Sequence, residues 1–368
     1  MVQDVFIMGA TGKVGRTLVR QIFEKGDTDA RKHPNPTRIV GLASSSNVMY
    51  SSKGLSKEES TEFSEKKNKK TKYNDINQFL DIVEPGIRHE KNSLVFVDTT
   101  PINRPMTEFH LQIIEKTPYA VVTANKNPIA LSPYSTFKRL TYDVRRYGYR
   151  CSVMAGAHAV PLLQELRDVN DLPLLLQGCF SGTLGYITSE LEKGKKFSAI
   201  LKDAYAKGYT EPHPRDDLNG LDVARKLTVL ARTAGFNAEM KDIQLDPFIP
   251  NKFLSENDVN KFIDSVKPLD EKFHKQMSIA LKKGCTLRYV ASMDTKNGIK
   301  LNVSLAEVPK QSHFGVLEGT LNKLVVVTNT HPESKPYQLI SQGAGLEVTA
   351  QNIRGDLLYL LPERKNIL

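Results

Sequence analysis

The strongest constraint on the fold lies at the start of the chain. Residues 4–8 (Asp-Val-Phe-Ile-Met) read as a short apolar strand, and Gly9-Ala10-Thr11-Gly12-Lys13-Val14-Gly15 follows directly. From Lys13 to Lys25, apolar Val14, Leu18, Val19, Ile22 and Phe23 recur at helical spacing, so the glycines sit in a strand–turn–helix unit. Glycines there permit a tight turn, close approach of backbone N–H groups to a pyrophosphate, and close helix–strand packing. The helix N-terminus then offers its positive dipole end to an anion. The spacing is GxxGxxG, a variant of GxGxxG. It points to a dinucleotide held by Gly9, Thr11, Gly12, Lys13, Val14 and Gly15; the alternative is a glycine-rich connection that binds nothing.

Apolar strands and amphipathic helices continue to alternate over the first 130 residues. Strands are expected at 38–43, 93–98 and 119–123, and helices at 76–82 and 106–115. That alternation implies a parallel sheet covered on both faces. Beyond about residue 152 the pattern changes. Strand 174–180 is followed by helices 185–193, 198–207 and 219–234. Strands 286–293, 299–306 and 324–330 then follow one another without helices, which suggests an antiparallel or mixed sheet. The expected class is α/β, a Rossmann-type parallel sheet plus an α+β domain. The expected division is residues 1–145 for dinucleotide binding, 146–340 for substrate binding and dimerisation, and 341–368 as a C-terminal segment returning to the first domain.

The 368 residues suit two domains, and 40% hydrophobic with 25% charged residues excludes disordered and collagen-like chains. No apolar run approaches the ~18 residues of a membrane-spanning helix, and no signal peptide is evident. Cys151, Cys179 and Cys285 are odd in number and far apart, as in a reducing compartment. A soluble, cytoplasmic protein is expected. The net charge of +10 is diffuse except for Lys66, Lys67, Lys69, Lys70 and Lys72, in a polar stretch at 51–74 that reads as a solvated loop. With no aromatic platform or zinc-finger spacing, neither nucleic acid nor membrane is an expected partner.

The second strand runs into Ala43-Ser44-Ser45-Ser46, where NAD-specific sites carry a ribose-binding carboxylate. A hydroxyl such as that of Ser44 can instead bond a 2′-phosphate, which favours NADP over NAD; the alternative is ordinary loop serines. Lys126, in Thr123-Ala124-Asn125-Lys126, follows the C-terminal end of a strand, the edge where open α/β sheets bind ligands. Asp222 and Lys226 are four residues apart and share a helix face. Glu211, Asp216 and Asp217 come from the loop before that helix. Carboxylates beside a lysine suit a substrate with an ammonium group and a carbonyl to be protonated. An ordinary surface pair with a helix-capping Asp explains the same spacing.

The run Gly208-Tyr209-Thr210-Glu211-Pro212-His213-Pro214-Arg215-Asp216-Asp217-Leu218-Asn219-Gly220-Leu221-Asp222-Val223-Ala224-Arg225-Lys226 closely resembles the signature of the homoserine dehydrogenase family. Thr123-Ala124-Asn125-Lys126, Ser181-Gly182-Thr183-Leu184-Gly185-Tyr186-Ile187 and Gly343-Ala344-Gly345-Leu346-Glu347-Val348-Thr349-Ala350 resemble other family segments, in family order over nearly the whole chain. The resemblance implies reversible NAD(P)-dependent interconversion of L-aspartate 4-semialdehyde and L-homoserine, a step in threonine, methionine and isoleucine biosynthesis. It implies Lys226 as proton donor with Lys126 near the reacting oxygen. Asp222 would hold the substrate hydroxyl and orient Lys226. Glu211 and Asp217 would take the ammonium, and Thr183 and Gly208 would line the site. Thr99, Thr100, Gly343 and Gly345 would contact the cofactor. The resemblance further implies a homodimer with residues 320–339 contributing, and a short monofunctional form without kinase or regulatory domains. Family members also build a monovalent-cation site from main-chain carbonyls, here matched by Val153, Ala155 and Ala157. Arg150 stands where that loop has Glu, and a guanidinium there opposes a cation.

Two other readings need weighing. A semialdehyde dehydrogenase acting through a thiohemiacetal needs an activated Cys, and none of the three cysteines lies in an activating context. A dinucleotide-binding sensor of the same fold would have no need of Lys126, Glu211, Asp222 and Lys226 together.

Overall fold

The computed structural model describes residues 2–33, 35–66, 71–73, 78 and 94–364, with side chains up to residue 358. The chain divides into two units, Met1–Gly156 with Gly345–Leu368, and Ala157–Ala344.

The first unit is built on strands β1 (Gln3–Met8), β2 (Thr37–Ala43), β3 (Asn47–Tyr50), β4 (Thr71–Lys72), β5 (Leu94–Asp98), β6 (Ala120–Thr123) and β7 (Tyr147–Gly148), in the order β4-β3-β2-β1-β5-β6-β7. From β2 to β7 every pairing is parallel; β3 and β4 add antiparallel strands at one edge. Chain order reverses between β1 and β5, which makes the C-terminal ends of these strands a topological switch point. Helices α1 (Lys13–Glu24), α2 (Lys57–Ser64), α3 (Arg104–Lys116), α4 (Asn127–Ala130) and α5 (Tyr134–Leu140) belong to this unit. β1 and β5 are buried along their whole length, as expected of strands covered on both faces. Val5, Ile7, Val95, Val97 and Val122 meet Leu18, Val19 and Ile22 of α1 in one core cluster, which also holds Ile353 and Leu357.

The second unit contains α6 (Ala159–Asp168), β8 (Leu175–Cys179), α7 (Gly182–Glu192), α8 (Phe197–Ala206), α9 (Arg215–Leu218), α10 (Leu221–Thr233), β9 (Ile243–Leu245), α11 (Val259–Ser265), α12 (Leu269–Lys282), β10 (Cys285–Asp294), β11 (Lys300–Pro309), β12 (Leu321–Val327) and β13 (Tyr337–Gln342). Its sheet runs β13-β12-β8-β10-β11-β9 and is mixed: only β11–β9 is parallel. Ten residue pairs join β10 and β11 as an antiparallel ladder. Helices α7, α10 and α12 pack on β10.

The last helix, α13 (Leu346–Arg364), lies in the first unit against α1. Arg354 pairs with buried Asp27 on that contact.

Several elements differ from the sequence reading. Residues 51–74 are not simply a solvated loop. Ser56 accepts from the Glu59 N–H at 3.1 Å while the Glu59 carboxylate accepts from the Ser56 N–H at 2.8 Å, a capping box that starts α2. Phe63 then buries α2 in the core. Apart from residue 78, the expected helix at 76–82 lies outside the described residues, as do Lys67, Lys69 and Lys70. α7 begins three residues earlier than the apolar spacing suggests, because the Ser181 hydroxyl accepts from the Leu184 N–H at 3.2 Å and caps it. The sequence reading passed over α6, α12 and β13.

Candidate active site

In the first unit, parallel strands deliver three loops to one sheet edge: the glycine turn after β1, Thr99–Thr100 after β5, and Asn125–Lys126 after β6. The turn is held tightly. The Gly12 N–H donates to the Gly9 carbonyl at 2.9 Å, and the Thr99 hydroxyl donates to the Met8 carbonyl at 2.7 Å. Gly9 has φ +78, a left-handed conformation. A Cβ on Gly15 would lie 2.4 Å from the Gly9 carbonyl oxygen, so only glycine lets the helix approach the turn this closely. α1 has no side-chain cap and no acidic residue in its first turn. No carboxylate of its own first turn competes for those N–H groups, which suits a pyrophosphate. Thr11 is half-buried, Gly12 and Lys13 are exposed at the turn, and Val14 packs inward on the core.

Ser44 is engaged locally. Its hydroxyl accepts from the Asn47 N–H at 3.0 Å and its carbonyl accepts from the Tyr73 hydroxyl. Ser45 and Ser46 are exposed beside it.

Behind the strand ends lies a buried polar network that the sequence reading missed. Asp98, the last residue of β5, accepts from the Thr100 N–H at 2.8 Å through Oδ1 and from Asn125 Nδ2 at 2.9 Å through Oδ2. Asn125 also donates to the Ile102 carbonyl at 2.6 Å, and its Oδ1 accepts from the Asn127 N–H at 3.1 Å. His110 of α3 brings Nε2 to 3.2 Å from Asp98 Oδ2, and its Nδ1 lies 2.9 Å from the Tyr147 hydroxyl. Asp98 and His110 are 1% and 0% exposed, and Asn125 and Tyr147 are buried with them, so the centre of the network is desolvated. Asp98 thus ties the Thr99–Thr100 loop to the loop that presents Lys126 as the N-cap of α4.

In the second unit, one cluster gathers Thr183, Asp217, Asp222 and Lys226. α10 begins after Gly220, and its four-residue spacing puts Asp222 and Lys226 on one side. Lys226 Nζ lies 2.8 Å from Asp222 Oδ2 and donates to the Phe180 carbonyl at 2.6 Å. Lys226 is 9% exposed, so this is not the solvated surface pair that spacing also allowed. Phe180 ends the β8 region just before α7, and its carbonyl gave no sequence signal. Thr183, in the first turn of α7, places its hydroxyl 2.6 Å from the Tyr209 carbonyl and 2.7 Å from Asp217 Oδ1. The other Asp217 oxygen accepts from the Glu211 N–H at 2.8 Å. Burial pushes the Asp217 carboxyl up to about 6, with Glu211 and Asp222 adding repulsion and the bonds from Thr183 and Glu211 opposing it. Gly208, at φ +69, turns the chain out of α8 toward Tyr209. Tyr186 of α7 packs edge-on against Tyr209, centroids 5.2 Å apart, and its hydroxyl donates to Asp203. Gly343 packs on the Asn322 carboxamide in this unit, whereas Gly345 opens the C-terminal part of the first.

The remaining expected positions have other partners. The Val153 carbonyl accepts from the Gly156 N–H at 3.0 Å and the Ala155 carbonyl accepts from Asn352 Nδ2 at 2.9 Å. Arg150 pairs with Asp356 at 3.2 Å. Burial raises Asp356 to about 6 against the pull of Arg150. Ala157 opens the second unit. Among the described residues, no three His, Cys, Asp or Glu side chains are grouped to hold a metal ion. Burial pushes the Cys151 thiol well up and the Cys179 thiol to about 12, which removes both as thiohemiacetal nucleophiles. No described helix is long and apolar enough to cross a membrane.

The chain thus combines a doubly wound sheet unit of the dinucleotide-binding type with a mixed-sheet unit that carries a lysine–carboxylate cluster. The homoserine dehydrogenase family model matches residues 161–358, more than half of the chain. The chain is 32% identical over 97% of its length to a bifunctional aspartokinase/homoserine dehydrogenase of Buchnera aphidicola, of which it spans 42%. It is 30% identical to the homoserine dehydrogenase of Schizosaccharomyces pombe, covering 98% of this chain and 96% of that one. Among solved structures it resembles a Candida auris protein of unknown function at TM-score 0.85 and 27% identity, each chain 98% covered. It shares its fold with a hyperthermophilic archaeal homoserine dehydrogenase in complex with NADPH, at TM-score 0.70 and 19% identity over 99% of this chain and 98% of that one. The chain belongs to the homoserine dehydrogenase family.

Proposed function

We propose that this chain interconverts L-aspartate 4-semialdehyde and L-homoserine with a nicotinamide dinucleotide, NADP in preference to NAD, as a step toward threonine, methionine and isoleucine. The observation that carries the reading is Lys226, desolvated and held between Asp222 and the Phe180 carbonyl.

The glycine turn fits the cofactor: Gly9 and Gly15 leave no room for side chains, and the start of α1 is uncapped. Gly9, Thr11, Gly12, Lys13, Val14 and Gly15 would hold the pyrophosphate, with Thr99, Thr100, Lys126, Gly343 and Gly345 as further contacts. The bound nicotinamide supplies the hydride. The hydroxyls beside β2 support the NADP preference; with Ser44 engaged in its own turn, Ser45 and Ser46 are the exposed candidates for a 2′-phosphate.

Lys226 donates a proton to the oxygen of the carbonyl as it becomes an alkoxide, and takes one back in the oxidative direction. Asp222 fixes its direction and accepts from the substrate hydroxyl. By the resemblance, Lys126 would contribute its positive charge to the same reaction. Glu211 and Asp217 take the substrate ammonium, while Thr183 and Gly208 shape the wall behind it. Removal of water from this cluster strengthens each of these contacts.

A monovalent cation on Val153, Ala155 and Ala157 has less support. The first two carbonyls each already accept one hydrogen bond, and Arg150 adds positive charge to the same loop. A homodimer is part of the reading, supported by exposed apolar Val316, Leu321 and Ile340 on and beside the sheet edge β12–β13. A cytoplasmic location is supported by the buried free cysteines Cys151 and Cys179.

The test is NADPH oxidation with L-aspartate 4-semialdehyde, wild type beside Lys226→Ala. Turnover that collapses by about 10²- to 10⁴-fold in the variant is expected. A wild type that binds NADPH yet does not turn over would sink the reading in favour of a non-catalytic sensor.

A further inference from the structure

The hydrogen-bond chain at Asp217 contains a proton-counting problem. Thr183 Oγ1 stands 2.6 Å from the Tyr209 carbonyl oxygen and 2.7 Å from Asp217 Oδ1. Its hydroxyl has a single hydrogen, and a carbonyl oxygen only accepts. With Asp217 ionised, two acceptors compete for that hydrogen and one short oxygen–oxygen contact holds none. With Asp217 protonated on Oδ1, the chain closes: Asp217 donates to Thr183, and Thr183 donates to the Tyr209 carbonyl. Oδ2 still accepts from the Glu211 N–H at 2.8 Å. Every short contact is then satisfied, as buried polar groups require.

The charges around the carboxyl agree. Glu211 on the preceding loop and Asp222 on α10 both repel an ionised Asp217. Lys226 is taken by Asp222 and the Phe180 carbonyl. On α9 itself, Asp216 is exposed, and Arg215 donates to the Glu256 carbonyl and to Asn257. His213 Nδ1 accepts from the Arg215 N–H. α7 brings the Thr183 hydroxyl to Asp217 and Tyr186 to Tyr209, the Tyr186 hydroxyl being engaged by Asp203 and Lys207.

We propose that in mildly acidic solution Asp217 waits protonated in the substrate-free site and gives that proton to solvent when the substrate's ammonium arrives, so that amino-acid binding there is coupled to proton release. This rests on the reading that Glu211 and Asp217 receive the ammonium. In the exchange the Asp217 O–H bond breaks and the proton passes to buffer. The Thr183 hydroxyl turns from the Tyr209 carbonyl to the carboxylate, and the ammonium forms the new ion pair. Nothing is oxidised or reduced. A ligand without an ammonium gives Asp217 no reason to ionise, so the same device discriminates amino acids from their deaminated analogues.

The test is calorimetric titration of L-homoserine into the enzyme–NADPH complex, a dead-end pair, in two buffers of different ionisation enthalpy. Semialdehyde reduction is assayed in parallel. Release of most of one proton at pH 5.5 and almost none at pH 7.5 is expected, with affinity about fourfold tighter at the higher pH for a carboxyl near 6. 4-Hydroxybutyrate should release none at either pH. Asp217→Asn, which keeps a donor toward Thr183, should abolish the release and flatten the pH dependence; the wild-type titration stands by itself if that variant misfolds. An active enzyme that binds homoserine without proton release at pH 5.5 overturns the proposal and leaves the functional reading intact. So does an Asp217→Asn variant that releases the wild-type number. A protein that neither binds homoserine nor reduces the semialdehyde overturns both.

Discussion

Lys226 and Asp222 are paired at 2.8 Å across one turn of α10, and the lysine is anchored from the other side by the Phe180 carbonyl at 2.6 Å. Two fixed acceptors leave the ammonium one remaining direction in which to donate. An acid held in this way delivers its proton to one place, which is what a reaction at a single carbonyl oxygen needs.

That pairing predicts an asymmetry between two variants. Lys226→Met removes the proton donor, and kcat should fall by about 10²- to 10⁴-fold with NADPH affinity unchanged. Asp222→Asn keeps the lysine and its Phe180 anchor, so kcat should fall less, by roughly tenfold to a hundredfold. Stopped-flow hydride transfer separates the two. Equal losses would mean that Asp222 is as indispensable to the proton transfer as Lys226 itself.

The buried Asp98 gives a second prediction. It accepts from Thr100, from Asn125 and, at 3.2 Å, faces His110. Asp98→Asn would turn an amide N–H₂ toward Asn125 Nδ2, setting donor against donor. Stability should drop by about 2–4 kcal/mol, the scale for breaking a buried charged network. Because both tethered loops move, kcat and NADPH affinity should drop as well. Denaturant unfolding and fluorescence titration read the two effects; a stability loss with intact kinetics would confine Asp98 to folding.

Much of this was legible because sequence neighbours became spatial neighbours. The turn from Gly9 to Gly15 joins a strand to a helix that it also packs against. Glu211, Asp217, Asp222 and Lys226 lie within one short run, so the pattern and the cluster coincide. His110 and Tyr147 were not legible: they meet Asp98 only through strand order, from three separate elements. The Phe180 and Tyr209 contributions are carbonyl oxygens, which every residue has. α12 escaped notice because Leu269, Phe273, Met277 and Ala280 form a thin stripe among Asp, Glu, Lys and Gln. The capping box of α2 was readable as Ser56-Lys57-Glu58-Glu59 but hidden by the polar stretch around it.

Close packing at the turn yields a third prediction. A methyl group at position 15 would meet backbone on two sides, the Gly9 carbonyl oxygen at 2.4 Å and Ala10 Cα at 2.7 Å. No rotamer relieves a clash of Cβ with backbone. Gly15→Ala should push α1 away from the turn and weaken NADPH binding by at least about tenfold, the scale of 1.4 kcal/mol. Enhancement of NADPH fluorescence on binding measures it. Unchanged affinity would mean that the cofactor does not use this turn.

The last prediction concerns what Asp217 costs the fold. Its carboxyl is raised to about 6 from an ordinary value of 3.8, so between those values the folded protein binds more protons than the unfolded chain. Stability from this group is therefore fully present below about pH 4 and is lost as pH rises through about 6. Above that, an ionised carboxylate sits half-buried beside Glu211 and Asp222. Asp217→Asn mimics the protonated form: its amide donates to Thr183 and its oxygen accepts from the Glu211 N–H. The variant should match wild type near pH 4 and exceed it at pH 8 by up to about 3 kcal/mol, the upper bound set by a shift of about two pH units. Loss of the substrate's ionic partner should raise KM for the semialdehyde in the same variant. Urea unfolding at the two pH values decides the matter. A variant less stable than wild type at pH 8 would show that the Asp217 carboxylate stabilises the fold, contrary to the burial argument.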